Sequence, residues 1–269
     1  MSNSDLEQEV VSSTQAAAIL GVHVASIKRW ADQGRLRCIK TPGGHRRFLR
    51  ADVEAMGEQS RSADGFRKRL LSALIAGRQM NAESILLEHW EEMGRWETVG
   101  DAVGVMLEEM GEAWSNGLMN ITEEHVASET LSRALGRLEM MVPRSQRAAT
   151  CVLATAPGDE HTLGLAMTEL VLAEHGWKSL WLGRYSPIST LCELAARSDI
   201  GMIAVSASAF SSLPKVLSDL VCRVGPVAQA SGTQLVLGGS GAWPAGIFGS
   251  QRIKSYADFG LLLRSREAS

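Results

Sequence analysis

The chain has 269 residues, of which 45% are apolar and 5% aromatic, and its formal net charge is −3. This length favours two or more domains, and no apolar run approaches the roughly 18–20 residues that a membrane-spanning helix needs. The weak negative charge excludes a uniformly basic nucleic-acid-binding chain. Because the N-terminus resembles no signal peptide and the four cysteines form no CxxC pair, we expect a cytoplasmic protein without a disulfide framework.

The first block of the chain is predicted to be a small domain with a hairpin. Residues 1–12 are polar, and we expect a disordered tail there. Ser13 or Thr14 can cap a helix over TQAAAIL, and a second helix is predicted over HVASIKRWADQ. LRCIKTPGGHRRF is typical of a hairpin, and RADVEAM begins a further helix. Residues 13–56 therefore indicate a winged helix-turn-helix.

The charge of this block indicates DNA binding. Residues 14–56 hold eight Lys and Arg against three acids. In such domains the second helix enters the major groove, and basic side chains on the hairpin reach phosphates. The predicted DNA-binding residues are Ser26, Lys28 and Arg29 on the helix, with His45, Arg46 and Arg47 on the hairpin.

The same segment resembles the DNA-binding domain of MerR-family regulators. The resemblance rests on the order of a helix, an IKRW helix, a GRL turn, a GGHRRF wing and a following helix. It implies operator DNA as a partner and assembly as a dimer or higher homo-oligomer. It also assigns Trp30 and Phe48 to the domain core.

A polar segment then leads into a helical block. GEQSRSADG, residues 57–65, is small and poor in apolar side chains, which is typical of a linker. Residues 66–143 show no strand pattern and contain about four amphipathic helices, with stops that include Gly77, Gly94 and Pro143. We predict a four-helix bundle.

The period of the sequence changes in residues 148–269. The apolar runs TCVLAT, SLWLG, IGMIAVS and TQLVLGG alternate with helical stretches, which indicates a doubly wound parallel sheet in a Rossmann-like α/β domain. Three loops follow the carboxyl ends of strands: GDEHTLG (158–164), SAS (206–208) and GGSG (238–241). Ligands of such sheets bind at this edge.

The residues of GDEHTLG alone leave several interpretations open. A zinc site needs three or four ligands, and only Asp159 and His161 are local. A dinucleotide fingerprint needs GxGxxG, which is absent. An Asp–His acid–base pair and a purely structural histidine remain possible.

Residues 159–164 also fit the pattern DxHxxG, which resembles the cobalamin-binding domain of corrinoid enzymes and sensors. The resemblance implies that His161 replaces the benzimidazole of the cofactor as the lower axial cobalt ligand. Imidazole nitrogen is a suitable cobalt ligand. Asp159 would fix the tautomer of the ring and strengthen its donor nitrogen.

The resemblance further implies a buried channel for the displaced nucleotide tail of the cofactor. Gly164 and the pair Gly238–Gly239 would allow the backbone to lie close to that tail. Ser206 matches the serine at the end of the third strand. Ser208 departs from the pattern, because a larger residue is usual there.

The helical block carries a second motif. Trp114 is followed after nine residues by Glu124 and His125. This W-x9-EH pattern, placed before a DxHxxG domain, resembles CarH/LitR-type photoreceptor regulators. In that family the bundle caps adenosylcobalamin, and repressors that bind DNA as tetramers in the dark dissociate in light. Trp114 would contact the adenosyl group, with Glu124 and His125 nearby.

One position departs from that family. Ser115 stands where well-studied members have a histidine that ligates cobalt after photolysis. Alternatives therefore stay open: another upper ligand in light, with His125 nearest in the sequence, water at that position, sensing of cobalamin without light, or a different or additional tetrapyrrole such as a bilin. A separate alternative, from the cobalamin domain below a helical cap, is a corrinoid methyl-carrier component of an enzyme. The GGHRRF wing argues against the methyl carrier. We therefore predict a DNA-binding transcriptional regulator, a repressor without enzymatic activity, whose oligomeric state and DNA affinity are controlled by bound cobalamin through photolysis of adenosylcobalamin.

Overall fold

The computed structural model of the protein divides into two compact units, Met1–Lys68 and Arg69–Ser269. The residues that it describes are 10–20, 24–32, 36–41, 43–143, 149–209, 213–245 and 249–267. Among the helices of these segments, none is both long enough and apolar enough to cross a lipid bilayer.

The first unit is a helix-turn-helix with a β-wing, as predicted. Strand β1 (Val10–Ser12) precedes helices α1 (Ser13–Leu20) and α2 (Val24–Asp32). Strands β2 (Ile39–Lys40) and β3 (Arg46–Leu49) follow as the wing. The three strands are antiparallel in the order β1-β3-β2, so the wing is anchored to the start of the domain.

The wing turns at the predicted glycines; Pro42 lies outside the described residues. The Gly44 N–H donates to the Thr41 carbonyl (2.8 Å), and the Thr41 N–H donates to the His45 carbonyl (2.9 Å). Gly44 has φ of +76°, a left-handed conformation that glycine adopts without strain. Phe48 is fully buried and Trp30 packs against the same apolar cluster, which confirms that both belong to the core.

The structure corrects the prediction of a disordered tail over residues 1–12. Residues 10–12 form β1, and Val11 is buried opposite Phe48. Two adjacent valines favour an extended backbone, and Val11 has an apolar site to fill. Residues 1–9 lie outside the described residues.

The cap of α1 also differs from the prediction. Ser12, rather than Ser13 or Thr14, accepts the N–H of Gln15 on its hydroxyl oxygen (3.2 Å). The Gln15 side chain accepts the Ser12 N–H in return (2.9 Å). This reciprocal pair is a capping box, and it begins the helix one residue earlier than expected.

The predicted linker is helical. Residues 57–65 lie within helix α3 (Arg50–Ile75). Gly57 and Gly65 oppose a helix most strongly, at about 1 kcal/mol each, and Ser60, Ser62 and Asp64 oppose it less, while Glu, Gln, Arg and Ala favour it. The second unit contains both the helical and the α/β regions, so the division between 66–143 and 148–269 stays a prediction.

The helical region contains the C-terminal part of α3 and three further helices, α4 (Gln79–Met93), α5 (Trp96–Ser115) and α6 (Ile121–Met141). Gly94 ends α4 in the left-handed conformation. Asn120 begins α6 with a capping box. The four helices match the predicted number.

The α/β region has one strand more than predicted. Its strands are β4 (Thr150–Thr155), β5 (Lys178–Gly183), β6 (Ile200–Ser206), β7 (Gln234–Gly238) and β8 (Ser250–Arg252). All pairs are parallel, in the order β5-β4-β6-β7-β8. The sequence pattern missed β8 because its three residues, SQR, are polar and too few to show a period.

Helices cover both faces of this sheet. They are α7 (Leu163–Glu174), α8 (Ile188–Ala195), α9 (Pro214–Ser231) and α10 (Tyr256–Glu267). Helices α8 and α9 bury one face over an apolar core. Helices α5 and α6 of the helical region contact α7, and α5 also contacts α10. The predicted multidomain fold with a Rossmann-like region is confirmed.

Candidate functional site

The site lies where the strand order reverses. Strand β4 is followed in the chain by β5 on one side, and the next connection places β6 on the other side. Such a switch point leaves a crevice at the carboxyl ends of the strands. The three predicted loops meet there: the Ala156 N–H donates to the Ser206 carbonyl (2.8 Å), and the Ala207 N–H donates to the Gly238 carbonyl (3.2 Å).

Asp159 is the buried centre of the first loop, with an exposed fraction of 1%. Its Oδ1 accepts the backbone N–H of His161 and lies 2.9 Å from the Nδ1 atom of the same residue. Its Oδ2 accepts the Ser208 N–H. The Thr155 hydroxyl donates to the Asp159 carbonyl (2.7 Å). The carboxylate therefore holds the imidazole and joins two strand ends.

His161 is exposed although its partner is buried. Its side chain is 63% exposed, and the hydrogen bond at Nδ1 directs Nε2 away from Asp159. The hydrogen bond with Asp159 raises the pKa of His161, burial opposes this, and the charges of Glu124 and Glu160 add to the rise. Glu124 belongs to α6, so the helical region is electrostatically coupled to this histidine.

A cavity of about 610 Å³ adjoins His161, bounded by the strand ends and by residues of α5, α7 and α10. Its volume is typical of a small-molecule or cofactor site. The predicted site residues that line it are His161, Gly164, Ser206, Ser208, Gly238 and Gly239. The structure thus brings together, at one cavity, residues from three separate loops.

The glycines at the cavity have different roles. A Cβ atom on Gly164 would meet the Ser206 and Tyr256 hydroxyl oxygens at 3.7 Å, which is ordinary contact. Gly239 has φ of +78°, and a Cβ atom there would lie 2.2 Å from the Ala207 carbonyl oxygen. Gly239 is therefore required by the packing of the loop itself, whatever ligand binds.

The predicted lid residues lie at the end of α5 and the start of α6, outside the cavity lining. Trp114 is 49% exposed. The Ser128 hydroxyl donates to Glu124 (2.7 Å), which also pairs with His125 Nδ1. Burial alone would raise the pKa of Glu124, but these two hydrogen bonds and the charge of His161 lower it overall.

The residues present fit a corrinoid. An imidazole nitrogen backed by a carboxylate is a suitable donor for cobalt. Gly104 and Gly164 place no side chain on the cavity wall at their own positions, which leaves room for a ligand there. A Cβ atom on Gly104 would meet nothing within 4 Å. A zinc site is less well supported, because the close cluster of potential ligands in the described residues lies elsewhere, at Glu97, Glu174 and His175.

Sequence reasoning missed part of the cavity wall. Asp101 on α5 accepts the N–H groups of Tyr256 (2.6 Å) and Ala257 (3.2 Å) at the start of α10. Arg252 and Lys254 also line the cavity. These residues are far from the motifs in the chain, and β8, which carries Arg252, had no readable pattern.

The wing gives Arg46 an internal role that the sequence did not indicate. Its guanidinium donates to the Lys28 carbonyl (2.7 Å) and to the Asp32 carboxylate (2.6 Å). These bonds tie the wing to α2, so Arg46 orients the two parts of the predicted DNA-binding surface.

The remaining predicted DNA-binding residues are only partly described. The side chains of Lys28 and His45 are exposed, and that of Arg47 is half-buried. The side chains of Ser26 and Arg29 lie outside the described part of the structure. Their roles in DNA binding stay predictions.

Comparison with known proteins supports this architecture. Residues 10–61 match a helix-turn-helix domain family, and residues 66–139 match the B12 binding domain family. The second match falls on the helical region. The solved structure of the Methanosarcina barkeri monomethylamine corrinoid protein is similar with a TM-score of 0.56 and 14% identity, over 74% of this chain and 96% of that chain. That likeness concerns the fold.

Two relatives match most of the chain. The HTH-type transcriptional repressor CarH of Myxococcus xanthus is 24% identical over 246 residues, which are 76% of this chain and 82% of CarH. The repressor CarA of the same organism is 23% identical over 253 residues, 84% of this chain and 85% of CarA. The resemblance to CarH-type regulators predicted from the sequence is confirmed, and neither relative is named as an enzyme.

Proposed function

We propose that this chain is a DNA-binding transcriptional regulator, a repressor acting in the cytoplasm, whose affinity for operator DNA is controlled by a bound cobalamin. One observation carries the proposal. His161 is held by the buried carboxylate of Asp159 at the switch point of the sheet, in a chain whose N-terminal segment matches a helix-turn-helix family.

The lower face of the cofactor would be held by the α/β region. His161 would offer Nε2 to cobalt, since Nδ1 is bonded to Asp159. Asp159 keeps the ring oriented because its second oxygen is anchored by the Ser208 N–H. The adjoining cavity, with Gly164 and Gly238 in its wall, would accept the nucleotide tail.

The upper face would be covered by the helical region. Adenosylcobalamin, when bound, supplies a cobalt–carbon bond that visible light breaks. Trp114 would pack on the adenosyl group, with Glu124 and His125 as polar neighbours. The exposed apolar surface at this point, which includes Leu118 and Ile121, is suited to change its contacts when that group leaves.

DNA binding would use the first unit. Lys28 on α2 would contact DNA in the major groove, together with Ser26 and Arg29, while His45 and Arg47 on the wing would contact phosphates. Assembly as a dimer or tetramer would link several such units, so that dissociation of the assembly would weaken DNA binding strongly.

Ser115 favours a second candidate, a regulator that senses cobalamin without light or uses another tetrapyrrole such as a bilin. Serine is a poor ligand for cobalt compared with imidazole. A light adduct through this position is therefore not available, and His125 is the nearest other imidazole in the sequence.

The test combines absorbance with DNA binding. The full chain, purified in the dark, is mixed with adenosylcobalamin or a bilin, desalted, and its spectrum is recorded before and after illumination. We expect one cobalamin per chain and a spectral change in light. DNA selected from a randomised pool should be bound in the dark and released in light, with a smaller assembly on size exclusion.

Two variants test cofactor binding by the second unit and DNA binding by the first unit independently. His161→Ala should lose the binding of cobalamin through the histidine, while Lys28→Ala should keep the cofactor and bind DNA more weakly. If the wild-type chain retains no cobalamin, the proposal fails. Cobalamin retention with no effect of light on assembly would support the second candidate.

A further inference from the structure

Arg252 places a positive charge at the wall of the cavity. It lies at the end of β8, paired with Leu237 of β7. Its Nη1 donates to the Leu237 carbonyl (2.9 Å) and to the Ile253 carbonyl, and its Nη2 donates to the Gly239 carbonyl. Three carbonyl acceptors therefore hold the guanidinium in one orientation.

These acceptors do not neutralise the charge. A guanidinium has five N–H donors, so these three bonds leave two donors for another acceptor. Within the described residues, no carboxylate lies within ion-pair distance of Arg252. Burial lowers the pKa of Arg252, as expected for a cation that has lost water without gaining an anion.

The acids at the cavity do not compensate for it either. Asp101 and Glu108 also line the wall, but in the described part of the chain neither forms an ion pair with Arg252, and both Asp101 oxygens are directed to N–H groups at the start of α10. Lys254, two residues after Arg252, lies on the same wall, but it is exposed like Glu108, so water and salt screen both charges. The preference for an anion therefore rests on the fixed guanidinium of Arg252.

We propose that Arg252, with Lys254 beside it, binds the phosphodiester of the corrinoid nucleotide tail and so selects corrinoids that carry a complete tail. Guanidinium groups bind phosphate through paired N–H donors. The inference rests on the proposed function, because it assigns a part of the same ligand. Free inorganic phosphate has the same chemistry and is the alternative occupant.

The rest of the cavity agrees with such a tail. Its apolar lining includes Leu165, Val205, Val236 and Phe259, and its polar lining includes Thr168 and Ser206. An aromatic base would bury apolar surface there, while the phosphate needs a fixed cation. A corrinoid without the tail would gain nothing from Arg252.

The test compares two corrinoids. Affinities of the full chain for adenosylcobalamin and for cobinamide, which lacks the nucleotide and its phosphate, are measured by absorbance titration in the dark. Arg252→Gln should weaken cobalamin binding by about 10- to 100-fold, the usual size of a lost charged hydrogen bond. Cobinamide binding should change less than about twofold, by the same reasoning. Arg252→Lys should lie between.

Arg197→Gln is the matched control, because Arg197 is exposed and paired with Asp199; it should change neither affinity. If Arg252→Gln loses the same affinity for both corrinoids, or loses none for either, the proposal is overturned. If circular dichroism shows that Arg252→Gln does not fold, the test is competition between inorganic phosphate and each corrinoid for the wild-type chain. Millimolar phosphate should then weaken cobalamin binding and leave cobinamide binding unchanged; no competition also overturns it.

A third measurement separates this proposal from the proposed function. If the wild-type chain binds neither corrinoid, the cobalamin function has failed. Thermal stabilisation by inorganic phosphate that disappears in Arg252→Gln would then still establish an anion site for free phosphate, without selection of a tail. No stabilisation would refute the anion site as well.

Discussion

At the residue scale, Asp159 sets both the orientation and the charge of His161. The bond between Oδ1 and Nδ1 is 2.9 Å long, and a backbone N–H donates to the same oxygen. A proton and a metal compete for Nε2 of an imidazole whose Nδ1 proton is held by a carboxylate. The pKa of His161, which this bond raises, therefore controls how easily the ring can act as a ligand.

We expect Asp159→Asn to lower the pKa of His161, because the hydrogen bond to the charged carboxylate is its largest cause. The measurement is an NMR titration of the imidazole in the chain without cofactor. Cobalamin affinity should rise as pH increases through that pKa, and this midpoint should move to lower pH in the variant.

Glu160→Gln is the control, since it removes a carboxylate from the same loop without removing the hydrogen bond. If Glu160→Gln lowers the pKa of His161 as much as Asp159→Asn does, the hydrogen bond from Asp159 is not the cause of the raised pKa. The raised pKa also stabilises the fold below about pH 6.5 and ceases to do so above the pKa of His161. This effect should be small, because the ring is 63% exposed.

At the element scale, α5 connects the helical region to the α/β region through its contact with α10. Asp101 accepts two N–H groups at the start of α10. A Cβ atom on Gly100 would lie 2.8 Å from the ring of Tyr256, and one on Gly260 would lie 1.9 Å from a carboxylate oxygen of Glu97. Glycine on both helices thus permits their close approach.

We expect Gly100→Ala to lower the thermal midpoint of the second unit. Overpacking typically costs about 1–3 kcal/mol, and the gain in helix propensity offsets at most about 1 kcal/mol. Gly111→Ala, in the same helix, is the control, because a Cβ atom there would meet nothing within 4 Å. It should be neutral or stabilising, and equal effects of the two changes would contradict the packing argument.

At the scale of the whole second unit, a buried charge network joins three helices. Glu97 of α5 is 5% exposed and lies 2.7 Å from Nε2 of His175, at the end of α7. Arg264 of α10 donates to the same carboxylate. The neighbouring Glu174 accepts N–H groups of Trp90 and Trp96. Protein donors therefore satisfy this cluster, which supports a structural role.

We expect this network to stabilise the protein above pH 5 and to fail in acid. Burial alone would raise the pKa of Glu97, but hydrogen bonds from Arg264 and His175 lower it overall. A lowered pKa contributes stability above the unfolded value, near 4.5, which is lost as pH falls through the folded value. Urea unfolding between pH 3 and 7 measures this.

Glu97→Gln should cost about 3 kcal/mol at pH 7, the low end for a broken buried pair, because Arg264 is 33% exposed. The variant should lose less stability in acid than the wild type. Glu88→Gln is the control: Glu88 pairs with Arg69 at an exposed site, worth about 0–1 kcal/mol. Parallel pH profiles for wild type and Glu97→Gln would exclude the network as the cause.

The sequence by itself determined the local structure and the motifs. The apolar periods predicted the helices and four strands of the parallel sheet, because buried faces repeat with the geometry of each element. GGHRRF predicted the wing, and DxHxxG placed His161 at a strand end. Sequence patterns failed where contacts with distant residues determine the secondary structure. Val11 forms a strand because Phe48 lies opposite it, and the three residues of β8 are too few to show a period.

Only the tertiary structure decided the surroundings of the motifs. It shows that Asp159 is buried and hydrogen-bonded to His161. It also shows that a side chain at Gly239 would collide with the Ala207 carbonyl even without a ligand. It also adds Arg252 and Asp101 to the cavity wall. These contacts join residues distant in the chain, and burial, charge and hydrogen bonding between such residues arise only when the chain is packed.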